Sequence, residues 1–310
     1  MNIDMIRAAA GRLNGHARRT PLLNSPFIDQ IAGRRVWIKP ECLQHTGSFK
    51  FRGAWSALSA LDADTRAKGV IAFSSGNHAQ GVALAASQHG VPSVIIMPSD
   101  APALKLANTR ALGAAIGDRL AAERGLTLVK PFDEPQVIAG QGTVGLEIAE
   151  DANAQGIETA DVLVCCGGGG LTSGIALALE ADAPGLRVRP AEPEGFDDVK
   201  RSLESGRIER NAQTSGNICD AIITPAPGHI TFPILHRLCG PGLAVSEDEA
   251  LQAVAQAFLR LKLVAEPGGA VALAAALSRR DEIAGDDVIV VISGGNVDAP
   301  MFARALGTLA

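Results

Sequence analysis

Residues 46–54 read Thr46-Gly47-Ser48-Phe49-Lys50-Phe51-Arg52-Gly53-Ala54, and the lysine in this stretch decides how the rest of the chain is interpreted. An isolated lysine is ordinarily a solvated surface side chain. Lys50, however, is followed by three further segments that are polar or rich in glycine: Ser74-Ser75-Gly76-Asn77-His78, Gly167-Gly168-Gly169-Gly170 and Ser293-Gly294-Gly295-Asn296. In this order the four segments offer an amine, polar loop groups, backbone N–H groups and a hydroxyl. We therefore interpret them as parts of one binding site.

Short apolar runs alternate with amphipathic stretches along the chain. Four of these runs read as buried β-strands: residues 70–73, 94–97, 162–165 and 288–292. A helical pattern soon follows three of them. This repetition predicts an α/β protein with doubly wound, mostly parallel sheets, in which ligands bind beyond the carboxyl ends of the strands.

The composition is typical of such a protein and argues against several classes of function. The 310 residues are 47% hydrophobic but only 4% aromatic, so small and aliphatic side chains must fill the core. A net charge of −5 gives no electrostatic basis for binding nucleic acid or an anionic membrane. No apolar run approaches the ~18 residues of a membrane span. The five cysteines lack metal-ligand spacing and read as small buried thiols, which indicates a reduced, cytoplasmic protein.

The glycine run 167–170 follows a strand pattern and opens a helical one. Glycines let successive N–H groups turn toward an anion, and a helix N-terminus adds partial positive charge. The alternative is a tight turn that packing requires. The run predicts a phosphate site but not a P-loop, because no Gly-Lys-Ser or Gly-Lys-Thr follows it.

The other segments supply the remaining groups that bind a pyridoxal phosphate. A lysine that attacks an aldehyde must be desolvated, because a lowered pKa keeps its nitrogen nucleophilic. The N–H groups of residues 75–78 could hold a substrate carboxylate, and the Asn77 amide could donate to a ring hydroxyl. The alternatives are a helix N-cap for Asn77 and a packed imidazole for His78.

Ser293 ends the last strong strand pattern. A neutral hydroxyl that faces a pyridine nitrogen would leave this nitrogen mostly unprotonated. The cofactor ring would then favour expulsion of a β-substituent over a long-lived carbanion. The alternative is an ordinary turn serine at a strand end.

With these residues placed, the chain resembles the fold type II pyridoxal-phosphate enzymes. Specifically, it resembles the serine/threonine dehydratase and serine racemase family, which includes 3-hydroxyaspartate dehydratases. The resemblance runs from about Thr20 to Asp298. It implies two doubly wound sheets similar to those of the tryptophan synthase β subunit. It also implies a large cofactor-binding domain of residues 1–61 and 142–310 and a small mobile domain of residues 62–141.

The resemblance also implies roles for single residues. Lys50 resembles the lysine that forms the Schiff base and acts as base on one cofactor face, and Ser75 resembles the acid/base on the other face. The implied cofactor-binding residues are Phe49, Lys50, Asn77, Gly167, Gly168, Gly169, Gly170, Leu171 and Ser293. The implied substrate-binding residues are Ser75, Gly76, Asn77 and His78.

A divalent cation is implied by the segment Glu192-Pro193-Glu194-Gly195-Phe196-Asp197-Asp198, which matches the metal-binding segment of the family. The ligands there would be the side chains of Glu192 and Asp198 and the backbone carbonyl of Phe196. Such hard oxygen ligands suit Mg²⁺, with Ca²⁺ or Mn²⁺ as alternatives. Without the resemblance, the segment would read as a solvated acidic loop.

Three departures from the family pattern stand out. Ala221 replaces a glycine that lies against the cofactor ring, and His229 stands where relatives often have an acidic or neutral residue. The third departure is a gap, because the chain passes from Ile116 to Gly117 without a strand and loop that the family has. A missing central strand would expose a sheet edge, so we expect residues to be absent from the sequence at this point.

The expected activity is an ammonia-lyase reaction that eliminates water from a β-hydroxy L-amino acid: serine, threonine or 3-hydroxyaspartate. Racemisation of serine or a related amino acid is the first alternative. A β-replacement synthase and a non-catalytic metabolite-binding protein rank below it. The family resemblance further implies a homodimer.

Overall fold

The computed structural model describes residues 1–74, 76–97, 109–112, 115–116 and 125–309. The strands in this part of the chain are β1 (Leu23–Asn24), β2 (Arg35–Pro40), β3 (Val70–Phe73), β4 (Ser93–Ile96), β5 (Ala115–Ile116), β6 (Thr127–Leu128), β7 (Ala160–Cys165), β8 (Leu186–Pro193), β9 (Leu243–Val245) and β10 (Asp287–Ile292). The helices are α1 (Ile3–Leu13), α2 (Pro26–Ala32), α3 (Lys50–Ser59), α4 (Ala63–Lys68), α5 (Asn77–His89), α6 (Pro135–Gln155), α7 (Gly170–Asp182), α8 (Asp198–Ser205), α9 (Thr231–Leu238), α10 (Glu247–Gln256), α11 (Pro267–Ser278) and α12 (Ala299–Gly307). Short 3₁₀ turns span Glu41–Leu43, His45–Gly47 and Arg280–Glu282, and a π-helical turn spans Ala257–Leu261.

The larger sheet contains six described strands in the order β1-β2-β10-β7-β8-β9. All neighbours are parallel except β1 and β2. Strands β7 and β10 are buried along their whole length, which explains why their sequences are almost uninterrupted runs of aliphatic residues. In register, Val290 of β10 faces Ile38 of β2 on one side and Leu163 of β7 on the other.

This register determines where the site forms. Strands β2, β10 and β7 run in the same direction, so the loops after Pro40, Ile292 and Cys165 emerge at one edge of the sheet. A β-bridge between Ser48 and Gly294 ties two of these loops together. The loops that carry Lys50, Ser293 and the glycine run therefore meet.

The smaller sheet has the described order β5-β4-β3-β6, and all its strands are parallel. Two mostly parallel sheets with intervening helices confirm the predicted fold class. One apolar cluster joins this sheet to α3, through residues such as Phe51, Trp55, Val70 and Ile95. The domain boundaries at 61/62 and 141/142 stay a prediction.

The sequence predicted that residues are absent after Ile116. Gly117 lies outside the described residues, and so does the expected discontinuity.

Among the helices that the structure describes, none is long and apolar enough to cross a membrane.

Helix α6 packs against α7 through glycines that leave no room for side chains. A Cβ added at Gly142 would lie 2.9 Å from the Gly174 carbonyl oxygen, and one at Gly174 would lie 2.6 Å from the Gly142 nitrogen. A Cβ at Gly145 would lie 2.8 Å from the Ala178 Cβ. The high glycine content thus has a packing reason, since the backbones of α6 and α7 touch.

We predict that Gly142→Ala destabilises the fold by about 1–3 kcal/mol, because a methyl group would force these helices apart. Gly11→Ala is a matched control in helix α1, where a Cβ would have no neighbour within 4 Å. This control should be neutral or stabilise by about 0.4–1 kcal/mol. Urea unfolding of both variants measures the difference, and equal stabilities would contradict the contact.

Candidate active site

The predicted segments meet around a cavity of about 180 Å³ at the carboxyl ends of the strands. The predicted cofactor- and substrate-site residues that the structure describes all line it: Phe49, Lys50, Gly76, Asn77, His78, Gly167, Gly168, Gly169, Gly170, Leu171 and Ser293. Ser75 lies outside the described residues. Ala221 lines the cavity, whereas His229 is exposed and is not part of the described lining.

Lys50 is the first residue of α3 and directs its amine into the cavity. Its Nζ donates to the Pro131 carbonyl oxygen at 2.8 Å and lies 5.1 Å from the centre of the Phe49 ring. Desolvation lowers the pKa of Lys50 to about 8, although the nearby Glu266 carboxylate acts in the opposite direction. The amine is therefore far closer to its neutral, nucleophilic form at physiological pH than a surface lysine is.

Arg52 fixes the helix that presents Lys50. Its buried guanidinium pairs with Glu41 at 2.8 Å and with Glu147 of α6 at 2.7 Å. Lys39 of β2 binds the same Glu147 carboxylate at 2.8 Å. Removing one partner from such a buried network typically destabilises a protein by about 3–5 kcal/mol. The start of α3 is thereby held rigidly against β2 and α6.

The glycine loop has two separate reasons for its composition. A Cβ at Gly168 would collide with the Phe132 ring, and one at Gly170 would lie 2.6 Å from the Gln141 amide oxygen. Gly169, which precedes α7, has a φ of +90°, a conformation that side chains disfavour. Because a glycine cannot cap a helix with a side chain, the first N–H groups of α7 remain available to an anion. The packing interpretation is confirmed, and the anion interpretation stays a prediction with which the loop geometry is compatible.

Asn77 and His78 differ in what their side chains do. Asn77 begins α5, and its Nδ2 donates to Glu266 Oε1 at 2.6 Å. The His78 Nε2 lies 2.8 Å from the Val129 carbonyl oxygen and therefore carries the hydrogen of a neutral ring. Burial, together with the charge of Lys50, lowers the pKa of His78 to about 3. His78 is thus an uncharged, packed imidazole that borders the cavity.

Ser293 follows β10 and is almost fully buried. Its backbone N–H donates to the Gly269 carbonyl at 3.1 Å, and its own carbonyl accepts from the Phe49 N–H at 3.2 Å. Backbone contacts on both sides therefore hold Ser293 at the cavity wall, beside the residue that precedes Lys50.

Sequence reasoning missed several residues of the cavity wall. Glu266 is the clearest case. The sequence did offer a sign of its importance, because Glu266 is the single charged residue in the apolar stretch between Lys262 and Arg279. Pro131 and Phe132 reach the cavity from the segment after the smaller sheet. No local pattern marks these two positions. Asp220, which precedes Ala221 in the sequence, also lines the cavity.

The predicted metal residues lie away from this cavity, at the end of β8. Both Glu192 and Asp198 are fully buried. The two Glu192 carboxylate oxygens accept the N–H groups of Val199 and Lys200 in the first turn of α8, at 2.9 and 2.7 Å. Asn211 donates to Asp198 Oδ1 at 2.6 Å, and Asp198 Oδ2 has no hydrogen-bond partner among the described residues. Burial, reinforced by the charge of Asp198, raises the pKa of Glu192 well above its usual range.

Comparison with known proteins identifies the family. A family model described as pyridoxal-phosphate dependent enzyme matches residues 13–295. The chain belongs to this family. It is 42% identical over 316 aligned residues to the L-threo-3-hydroxyaspartate ammonia-lyase of Pseudomonas sp, an alignment that covers 98% of this chain and 97% of the relative.

Solved structures confirm the fold type II architecture. The T.th. threonine deaminase superposes with a TM-score of 0.90 at 43% identity, covering 96% of this chain and 99% of that one. The serine racemase of Dictyostelium discoideum superposes with a TM-score of 0.88 at 36% identity, covering 96% of this chain and 99% of that one. The predicted resemblance to dehydratases and serine racemases is therefore confirmed.

The cavity has the chemistry that the cofactor of this family requires. Pyridoxal phosphate carries an aldehyde, a phosphate and a hydroxylated pyridine ring. The desolvated amine of Lys50 suits the aldehyde, and the N–H groups at the start of α7 suit the phosphate. The polar side chains of Asn77 and Ser293 line the same space. The residues present fit this cofactor.

The low pKa of Lys50 predicts how the apoenzyme takes up the cofactor. The neutral amine reacts with an aldehyde, and its fraction rises roughly tenfold per pH unit below the pKa and levels off above it. We expect the rate of covalent uptake of pyridoxal phosphate to level off near pH 8. A series of absorbance time courses between pH 6 and pH 11 measures this rate. A rise that continues past pH 10 would show that Lys50 behaves as a solvated lysine, and Lys50→Ala supplies the baseline without covalent uptake.

Proposed function

We propose that this protein is a pyridoxal-phosphate dependent ammonia-lyase that converts a β-hydroxy L-amino acid into a 2-oxo acid and ammonia. The observation that carries the proposal is the desolvated Lys50 amine in one cavity with the glycine loop and Ser293. The ammonia-lyase of Pseudomonas sp and the T.th. deaminase support the reaction type by similarity. The candidate substrates are serine, threonine and 3-hydroxyaspartate.

When bound, the cofactor withdraws electrons from the α-carbon and so makes the α-proton acidic. Lys50 would hold a neutral Nζ beside the substrate and would accept this proton. The N–H groups around Gly76 would hold the substrate carboxylate, and Asn77 would hold the ring hydroxyl. Ser293 would offer a neutral hydroxyl to the ring nitrogen, which would favour loss of the β-hydroxyl as water.

Racemisation is a second candidate, because the chain is also similar to the serine racemase of Dictyostelium discoideum. It requires an acid or base on the face of the substrate opposite Lys50, and we assign this role to Ser75. Both reactions begin with the same proton transfer to Lys50, so the fate of the β-hydroxyl distinguishes them.

We expect the protein to form 2-oxo acid from at least one of L-serine, L-threonine and L-threo-3-hydroxyaspartate. Lys50→Ala should lose this activity by several orders of magnitude, because the residue serves as both covalent attachment and base. Lys68→Ala, at an exposed position on α4, is the matched control and should keep it. The measurement is 2-oxo acid release together with chiral analysis of the remaining amino acid. D-serine without 2-oxo acid would favour the racemase, and activity in Lys50→Ala would contradict the mechanism.

We also propose that Glu192, Asp198 and the Phe196 carbonyl hold a divalent cation, with Mg²⁺ preferred over Ca²⁺ and Mn²⁺. Support comes from two adjacent buried carboxyl groups, one of which has an oxygen without a partner among the described residues. Buried charges of the same sign repel each other, so a cation between them would stabilise the ionised forms. The cation would also fix the loop between β8 and α8.

A cation bound only by the native state stabilises that state by mass action. We therefore predict that chelation lowers the melting temperature and that added Mg²⁺ restores it. Asp198→Asn should abolish both responses, while Asp64→Asn, on the exposed helix α4, should respond as the wild type does. If the melting temperature of the metal-stripped wild type does not change when Mg²⁺, Ca²⁺ or Mn²⁺ is added, the segment has a purely structural role and the metal proposal is wrong.

We further propose a cytoplasmic homodimer. The five cysteines are all free, and four are buried, as expected of a protein in a reducing compartment. Apolar side chains cluster on one surface, where Phe27 lies under the Arg260 guanidinium and Phe258 contacts the ring of Phe302. Phe27 and Phe258 are both exposed, and monomeric proteins rarely expose large clusters of apolar side chains. A second copy of the chain would bury this apolar surface.

A further inference from the structure

The carboxylate of Glu266 is a buried charge at the cavity wall to which the proposed mechanism assigns no role. Only 3% of Glu266 is exposed, and its backbone N–H donates to the Gly294 carbonyl at 3.1 Å. It immediately precedes the proline that begins α11. A carboxylate in such surroundings is unfavourable unless donors surround it, so its contacts are informative.

A chain of hydrogen bonds connects Glu266 to Asn77 and Asn296. The Asn77 Nδ2 donates to Glu266 Oε1 at 2.6 Å, and the Asn77 Oδ1 accepts from Asn296 Nδ2 at 2.7 Å. The same Asn296 Nδ2 also donates to the backbone carbonyl of Thr46 at 2.8 Å. This chain of hydrogen bonds has an acceptor at each end: the Glu266 carboxylate at one end and the Thr46 backbone carbonyl at the other.

These fixed ends determine which way the Asn77 amide faces. An asparagine side chain can present its oxygen or its NH₂ group on either side with nearly the same shape. An ionised Glu266 cannot donate, so the NH₂ group of Asn77 must face it. One of the two NH₂ hydrogens bonds to Glu266, and no acceptor among the described residues takes the second, which can therefore serve an acceptor in the cavity.

Tight packing keeps the carboxylate in place. A Cβ added at Gly294 would collide with Glu266 Oε1 and would lie 3.0 Å from Asn77 Nδ2. Only a glycine at position 294 is compatible with the observed contact. The Glu266 charge also acts on Lys50, whose pKa it raises against the effect of burial.

We propose that Glu266 is a positioning residue of the cofactor site, whose carboxylate fixes the Asn77 amide with an N–H directed at the hydroxyl group of the pyridoxal phosphate ring. This inference rests on the proposed function, because it requires that Asn77 meets the cofactor. It adds Glu266 as the group that, with Asn296 on the other side, holds the Asn77 amide in one of its two orientations. Gly294 serves the same purpose by leaving room for that carboxylate.

The test is cofactor affinity, measured by titrating apoenzyme with pyridoxal phosphate and following fluorescence and absorbance. Glu266→Ala should weaken binding by about tenfold or more, because the Asn77 amide loses one of its two partners and is no longer held in a single orientation. Its bound cofactor should also show a shifted absorbance maximum. Glu266→Gln retains an oxygen acceptor and should recover most of the affinity. Gly294→Ala, which displaces the carboxylate without removing it, should weaken binding as Glu266→Ala does.

A double-mutant cycle separates positioning from a general structural role. In an Asn77→Ala background, Glu266→Ala should weaken cofactor binding much less than it does in the wild type, because the part of its action that passes through Asn77 is already lost. Losses that simply add would overturn the proposal, and so would wild-type affinity in Glu266→Ala. Glu249→Gln is the matched control: this partly buried carboxylate caps α10 and binds Arg279 away from the cavity. It should lower the melting temperature of the apoenzyme and leave cofactor affinity unchanged.

These measurements are independent of substrate turnover. If the wild type binds pyridoxal phosphate and shows the expected coupling but forms no 2-oxo acid, the proposed reaction fails and the role of Glu266 stands. If turnover occurs and the coupling is absent, the reaction stands and the role of Glu266 fails.

Discussion

The parallel pairing of β2, β10 and β7 is the constraint on which the site depends. Each strand is held by the hydrogen bonds of its neighbours, and β10 and β7 are buried along their whole length. Because the three strands run in the same direction, their carboxyl ends bring together loops that are up to about 250 residues apart.

Around this edge, burial gives ordinary side chains unusual properties. Desolvation brings the pKa of Lys50 down to about 8 and that of His78 down to about 3. The buried carboxylate of Glu266 is tolerated in the same surroundings because the Asn77 amide donates a hydrogen bond to it. The site therefore brings together a reactive amine, a neutral imidazole and a carboxylate held by a hydrogen bond. These properties follow from burial and from the donors and charges nearby rather than from the residue type alone.

Two kinds of contact make the scaffold rigid enough to hold this arrangement. Arg52 anchors the start of α3 through buried ion pairs with Glu41 and Glu147. Glycines at the contact of α6 with α7 let the two backbones touch, so neither helix can move without opening a gap. The glycine loop before α7 packs in the same way, because a side chain at Gly170 would collide with Gln141 of α6. The glycines that would suit an anion are therefore also required by packing.

The sequence by itself determined the fold class, the family and the segments that form the cavity. The glycine run and Ser293 could be found because each follows a strand pattern, and parallel strands end at a common edge. Lys50 could be found because three polar or glycine-rich segments follow it in order. Glu266, Pro131 and Phe132 could not be assigned in this way, because only the packing of α11 and of the segment after the smaller sheet brings them to the cavity wall. The tautomer of the His78 ring, likewise, could not be assigned from the sequence, because the Val129 carbonyl determines it. Local patterns determine which backbone segments form strands and helices, whereas charge states and amide orientations depend on neighbours that are distant in sequence and that tertiary structure alone supplies.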